Sequence, residues 1–146
     1  MKQRGQVLAF FAIALPAVLL PVAAYAIDAA FAAQRYGELQ AATALAAEAA
    51  ADQLDVPSFR RAGAISIDPV QARTSASTVL LGEDPSARLV SLGVAGDEVD
   101  VVATETVELP LPILARIVAF TARAAARLVP GYDSPSSRLP LPASTF

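Results

Sequence analysis

The stretch VLAFFAIALPAVLLPVAAYAI, which runs from Val7 to Ile27, decides the organisation of this 146-residue chain. It contains 21 uncharged, mostly apolar residues. As a helix rising about 1.5 Å per residue it would extend roughly 31 Å, which matches the hydrocarbon core of a bilayer. Lys2 and Arg4 precede the stretch and Asp28 follows it, so the positive-inside rule puts the N-terminus in the cytoplasm. We therefore expect a transmembrane segment at 7–27, with an extension to residue 33 left open.

The end of this stretch also matches a signal-peptidase site. Ala24, Tyr25 and Ala26 form the small-x-small pattern after which secretory signal peptides are cut. The alternative to an anchor is a secreted small binding domain whose mature chain begins at Ile27. The anchor is favoured, because the apolar run is longer than the usual h-region of about 7 to 15 residues and the helical pattern continues past the cut.

The composition excludes several functional classes. The formal net charge is −3 and there is no basic stripe, so we expect no nucleic-acid partner. The chain has no Cys and no His, which removes thiol nucleophiles, most zinc sites and the usual general base near neutral pH. Its closest carboxylates, Glu83 with Asp84 and Asp97 with Glu98 and Asp100, fall at turns where solvated acids are common. We predict a protein that is not an enzyme and has no cofactor, metal or small-molecule substrate.

The sequence after the span favours a continuation of the helix. Alanine, the best helix former, dominates as far as Leu54. We predict a cytoplasmic N-terminus at 1–5 and one helix from about Gln6 to Gln53, within a segment 6–54. Asp28 would lie at the outer membrane edge, where interfacial water satisfies a carboxylate.

One face of this helix carries small side chains, which let a second helix approach closely. Its candidate packing residues are Ala42, Ala46 and Ala49. Two alternatives stay open: the face packs against other subunits, or it covers the protein's own small domain.

The segment 55–130 is predicted to form a small extracytoplasmic domain. Arg60, Arg61 and Gly63 are expected in a loop. A short second helix then starts at Asp68, an N-cap followed by Pro69, and ends near Leu81. Its weak apolar stripe consists of Val70, Thr74, Ser77 and Leu81, and Gly82 is a candidate for the residue after the helix.

Alternating side chains predict a β-hairpin and a third strand. The first strand, 88–94, would turn inward Val90, Leu92 and Val94; the second, 99–109, would turn inward Val99, Val101, Ala103 and Val107. Gly96 and Asp97 suit a tight turn between them. A third strand at 121–129 would point Arg123 and Arg127 outward, although 113–128 also suits a helix. The Pro- and Ser-rich tail 131–146 is predicted to be disordered.

The N-terminal third resembles the TadE/TadG-like proteins of Flp (Tad) pilus assembly. The residues that carry the resemblance are Arg4-Gly5, QVLAFFAIALP, Asp28, Arg35-Tyr36 and LQAATALAAEAAADQL. The region from Gly93 to Pro130 is loosely similar to the short extracytoplasmic part of such proteins. Phe10 stands where TadE-type pseudopilins carry Glu, and TadG-type proteins usually continue into a larger domain. The chain therefore resembles the family's helix more than either subtype.

The resemblance implies a pilin-like α+β fold with a long N-terminal helix, a short second helix and a small three-stranded antiparallel sheet. It also implies cleavage between Gly5 and Gln6 by a prepilin peptidase. The expected function is that of a pseudopilin or minor pilin of a Tad-type pilus or related secretion system. The expected partners are the lipid bilayer and other pilin-like subunits, in a bacterial cytoplasmic membrane with the C-terminal domain outside.

Overall fold

The structure of the chain, a computed structural model, describes residues 3–111 and 116–129, with side chains from residue 10 onward. Three helices are followed by three strands in this part of the chain. The predicted tail at 131–146 lies outside the described residues.

The first helix, α1, runs without interruption from Gln3 to Ala51. It includes Pro16 and Pro21, whose missing N–H groups leave two carbonyls without their helical partners. From Phe10 onward α1 is long and apolar enough to cross a membrane, a criterion that a signal sequence near the N-terminus also meets. Many large apolar side chains of its first half are exposed, among them Phe10, Ile13, Val18, Leu20 and Val22.

A short helix, α2 (Val56–Ala62), follows where a loop was predicted at 60–63. Asp55 caps it, since its Oδ1 accepts a hydrogen bond from the Ser58 backbone N at 3.0 Å. Gly63 ends the helix with φ of +66°, a left-handed conformation that glycine adopts without strain. The loop prediction was wrong because Pro57 lies in the first turn of α2, a position where a helix accommodates proline.

The third helix, α3 (Pro69–Glu83), starts as predicted: Asp68 accepts hydrogen bonds from the backbone N of Val70 and of Gln71. The predicted apolar stripe is wrong. Val70 is 76% exposed and Leu81 54% exposed, while the buried positions of this helix are Ala72, Ala76 and Leu80. Small alanine side chains let α3 approach α1 closely, so alanine marks the packed face better than the larger Val70. Gly82 lies inside the helix rather than after it.

The sheet has the order β1-β2-β3, and both neighbouring pairs are antiparallel. The strands span Arg88–Ala95 (β1), Glu98–Glu108 (β2) and Ile117–Arg127 (β3). Gly96, with φ of +68°, forms the predicted tight turn between β1 and β2. β3 begins at Ile117, four residues earlier than predicted. The alternative of a helix at 113–128 is therefore excluded for the described residues from Ile117 onward.

A β-bulge corrects the predicted inward face of β1. Leu89 pairs with Ala103 and Ser91 pairs with Val102, which are adjacent on β2. Val90 is therefore an extra residue of β1 with no partner on β2. As a result Val90 points outward and is 57% exposed, and Leu89 packs against the core instead. Leu92 and Val94 face inward as predicted.

The core lies between one face of the sheet and the two helices α1 and α3. It is built mainly from alanine and valine, with Leu39 of α1 and Leu80 of α3 as its largest fully buried apolar side chains. Val99, Val101 and Ala103 supply the sheet side, as the alternation of β2 predicted. The predicted α+β class is therefore confirmed, with two short helices instead of one.

Candidate functional site

The candidate helix-packing residues lie largely inside the protein's own domain. Ala42 is 3% exposed and Ala46 is fully buried, both in the core shared with α3 and the sheet. Ala49 is half-buried. Of the two alternatives left open for this face, the structure supports the second for Ala42 and Ala46, because neither has surface left to offer a partner subunit.

The candidate processing residues Gly5 and Gln6 lie in the first turns of α1. Their side-chain environment is outside the described part of the chain. Cleavage between them stays a prediction.

Asp28 is not a solvated acid at the end of the span. It is only 5% exposed, and its Oδ1 accepts a hydrogen bond from the backbone N of Leu111 at 2.8 Å. Leu111 lies 83 residues further along the chain, in the segment that follows β2. The carboxylate of Asp28 therefore fixes the end of the sheet against α1, a role that the expectation of interfacial water missed.

A polar cluster joins α1, the α3–β1 turn and β2. Arg35 donates to Glu105 Oε1 and, at 3.0 Å, to Ser86 Oγ; it also forms an ion pair with Glu38 at 2.6 Å. Asp84 Oδ1 lies 3.7 Å from the same guanidinium. Ser86 connects the acids, since its Oγ lies 2.6 Å from Asp84 Oδ1 and 2.9 Å from Glu105 Oε1.

This cluster holds three carboxylates around one guanidinium. The side chains of Asp84 and Glu105 are 5% and 1% exposed, whereas that of Arg35 is 26% exposed. The hydrogen bond from Arg35 to Glu105 raises the pKa of Arg35. The guanidinium is protonated even without this shift. Asp84 Oδ2 and Glu105 Oε2 have no hydrogen-bond partner among the described residues. Because a buried carboxylate without a counter-ion is costly, the cluster depends on Arg35.

Sequence reasoning missed the cluster although a signal was present. Glu105 occupies an inward position in the alternation of β2, between Ala103 and Val107, and a charge on that face is a marker of a specific partner. Asp84 was expected to be solvated, but it caps the end of α3 and is buried. The link to Arg35 crosses about half of the chain and has no local signature.

The outer face of the sheet carries cross-strand ion pairs. Arg123 and Arg127 point outward as predicted, and they pair with Asp100 and Asp97. Hydrogen bonds from these guanidinium groups hold the pKa of Asp100 and that of Asp97 below the ordinary aspartate value. These exposed pairs help to fix the register of β2 against β3.

Within residues 10–111 and 116–129, no group of three acidic side chains is placed to hold a metal ion. An open groove between α3 and the edge of β1 is lined by Pro69, Val70, Arg73, Thr74, Leu92 and Val94. The buried polar groups described above hydrogen-bond one secondary-structure element to another, so their role in the fold is structural.

Comparison of the chain with protein-family models, with curated proteins and with solved structures gives no significant match.

Proposed function

We propose that this protein is a membrane-anchored, pilin-like structural subunit that takes part in the assembly of a Tad-type pilus or a related secretion machine. One observation carries the proposal: a single 49-residue helix has an apolar half with outward-facing side chains and a second half that forms the back of a small antiparallel sheet. This is the layout of a subunit that is held by its helix in a membrane or filament and presents a small head.

The polar connections support a fixed geometry between helix and head. Asp28 holds Leu111, and Arg35 holds Glu105, so the sheet is attached to α1 at two levels. A subunit that transmits its orientation from a membrane helix to an exposed domain needs such attachments. The resemblance of the N-terminal third to TadE/TadG-like proteins points to the same class.

The membrane topology follows from charge. Lys2 and Arg4 lie before the apolar segment and Asp28 after it, which favours a cytoplasmic N-terminus and an extracytoplasmic head. The proposed location is the bacterial cytoplasmic membrane, in a single-pass arrangement.

The decisive experiment determines the fate of the N-terminus. The full chain is expressed in a Gram-negative host, membranes are extracted with carbonate, and the N-terminal residue is identified by mass spectrometry. A membrane-bound chain beginning at Met1 or Gln6 supports the proposal. A soluble chain beginning at Ile27 would contradict it and would favour a secreted binding domain.

Assembly is tested by crosslinking, for which the absence of native Cys is convenient. Single cysteines are placed at Ile13 and Leu20, which are 74% and 68% exposed on α1. We expect disulfide-linked species between subunits from at least one of these positions. The matched control is a cysteine at Val70 of α3, which is 76% exposed outside the span. Equal crosslinking at all three positions would indicate random collision and count against assembly through α1.

A further inference from the structure

The bond between Asp28 and Leu111 places one end of the sheet beside the end of the apolar segment. β2 ends at Glu108 and β3 begins at Ile117, and the backbone N of Leu109 bonds to the carbonyl oxygen of Arg116 at 3.0 Å. This bond pairs the chain just after β2 with the chain just before β3, next to Asp28. The opposite end carries the Gly96–Asp97 turn, where the backbone N of Leu128 bonds to the carbonyl oxygen of Asp97.

The depth of this end follows from helix geometry. Asp28 comes directly after Ile27, the last residue of the predicted span, and one helical turn covers about 5.4 Å. The headgroup layer on each side of a bilayer is about 5 to 8 Å thick. Since Leu111 N lies 2.8 Å from Asp28 Oδ1, a span that ends at Ile27 puts the backbone of Leu111 within that layer.

The side chains at this end have the chemistry of an interfacial contact. Leu111 is 40% exposed and Ile117 is 62% exposed, and Pro110 is exposed beside them. Arg116 is exposed too, but its Nε is paired with Glu108 Oε1 at 2.8 Å, so the charge of this end is balanced. Apolar side chains with a balanced charge favour the boundary between headgroups and acyl chains, without a need for anionic lipid.

We infer that the end of the sheet formed by Pro110, Leu111, Arg116 and Ile117 rests in the headgroup layer of the bilayer that α1 spans. The partner is a phospholipid surface, and the contact limits the tilt of the head relative to the membrane. The inference rests on the proposed anchoring of α1. Two observations support it. Asp28 joins this surface to the end of the span, and apolar side chains are exposed beside Asp28.

The chain contains no Trp, which allows a single-tryptophan experiment on the full-length protein. The variants Leu111→Trp and Ile117→Trp are reconstituted in phosphatidylcholine vesicles with or without bromine on the upper part of the acyl chains. Ile13→Trp reports on the span, and Val129→Trp, 72% exposed beyond the far end of β3, reports on the distal end of the head. We expect quenching and a blue-shifted emission at positions 111 and 117, and neither at position 129.

The outcomes separate the inference from the anchoring on which it rests. If the tryptophan at position 13 is quenched, but those at 111 and 117 are as unquenched as the one at 129, the inference is overturned and the anchor stays intact. An unquenched Ile13→Trp would overturn both. Because tryptophan itself favours interfaces, the second measurement uses cysteine at Ile117 and Val129, which have similar exposures of 62% and 72%.

An impermeant maleimide should label the cysteine at 117 several-fold more slowly than the one at 129 in vesicles. The difference should persist when the protein is diluted with more lipid. Protection at 117 that disappears on such dilution would mean that a second copy of the chain covers this surface, and would overturn the lipid assignment. Equal labelling at both positions would also overturn it.

Discussion

Arg35 of α1 donates a hydrogen bond to Glu105, a buried carboxylate on the inward face of β2, seventy positions further along the chain. The same guanidinium also contacts Glu38 and Ser86. The acids that meet between the helix and the sheet therefore share one cation, which lies just above the proposed membrane surface.

Replacing Arg35 should destabilise the head strongly. In Arg35→Met the buried carboxylates of Glu105 and Asp84 lose their cation, and we expect a loss of about 2 to 4 kcal/mol in the free energy of unfolding, since one member of a largely buried ion pair is removed. Thermal unfolding of the full chain in detergent, followed by circular dichroism, measures this. The double variant Arg35→Met/Glu105→Leu should recover part of the loss. No recovery would show that Arg35 acts through other groups.

Replacing Ala46 tests the assignment of this residue to the core. Ala46→Leu should lower the free energy of unfolding by about 1 to 3 kcal/mol, because the site is fully buried and a larger side chain would overpack the core. Ala41→Leu on the same helix is the matched control, since Ala41 is exposed, and it should change stability little. Unchanged melting of Ala46→Leu together with lost subunit association would instead assign Ala46 to a subunit interface.

Replacing Asp28 tests the attachment of the sheet to the helix. In Asp28→Ala the backbone N–H of Leu111 loses its acceptor, and we expect about tenfold faster hydrogen exchange there, because a hydrogen bond to a charged group contributes about 1.5 kcal/mol. Asp28→Asn retains an acceptor oxygen without the charge, so its exchange rate should lie between those of the parent and Asp28→Ala. The measurement is amide exchange by NMR in micelles. Equal exchange in both variants and the parent would show that the bond does not constrain the turn.

The pair of Asp100 and Arg123 predicts a specific pH dependence. Because Arg123 lowers the folded-state pKa of Asp100, the pair stabilises the fold above the unfolded pKa of aspartate, about 3.9, and this contribution is lost as the pH falls through the folded-state pKa. Arg123→Gln should raise the pKa of Asp100 in a carboxylate NMR titration. The difference in stability between the parent and this variant should shrink in acid.

Arg60→Gln, a change at an exposed position of α2, serves as the control for this experiment. It should leave the pKa of Asp100 unchanged. A stability difference between the parent and Arg123→Gln that is the same at neutral and acid pH would contradict the role of the pair.

The sequence by itself determined the local features of this protein. Four of these features depend on neighbouring residues and on backbone preferences. They are the apolar segment that gives α1 its membrane-spanning length, the cap at Asp68, the turn at Gly96 and the inward valines of β2. Such patterns are visible in a window of a few residues, because hydrophobic periodicity and capping are short-range effects.

Only the tertiary structure decided which surfaces meet. Three features depend on how closely the helices approach the sheet. They are the packing of α3 through its alanine face rather than through Val70, the bulge that turns Val90 outward and the burial of Ala46. The ion pair of Arg35 with Glu105 and the bond of Asp28 to Leu111 join residues that are far apart in the chain. Their positions follow from packing of the whole core, a long-range effect that no short stretch of sequence contains.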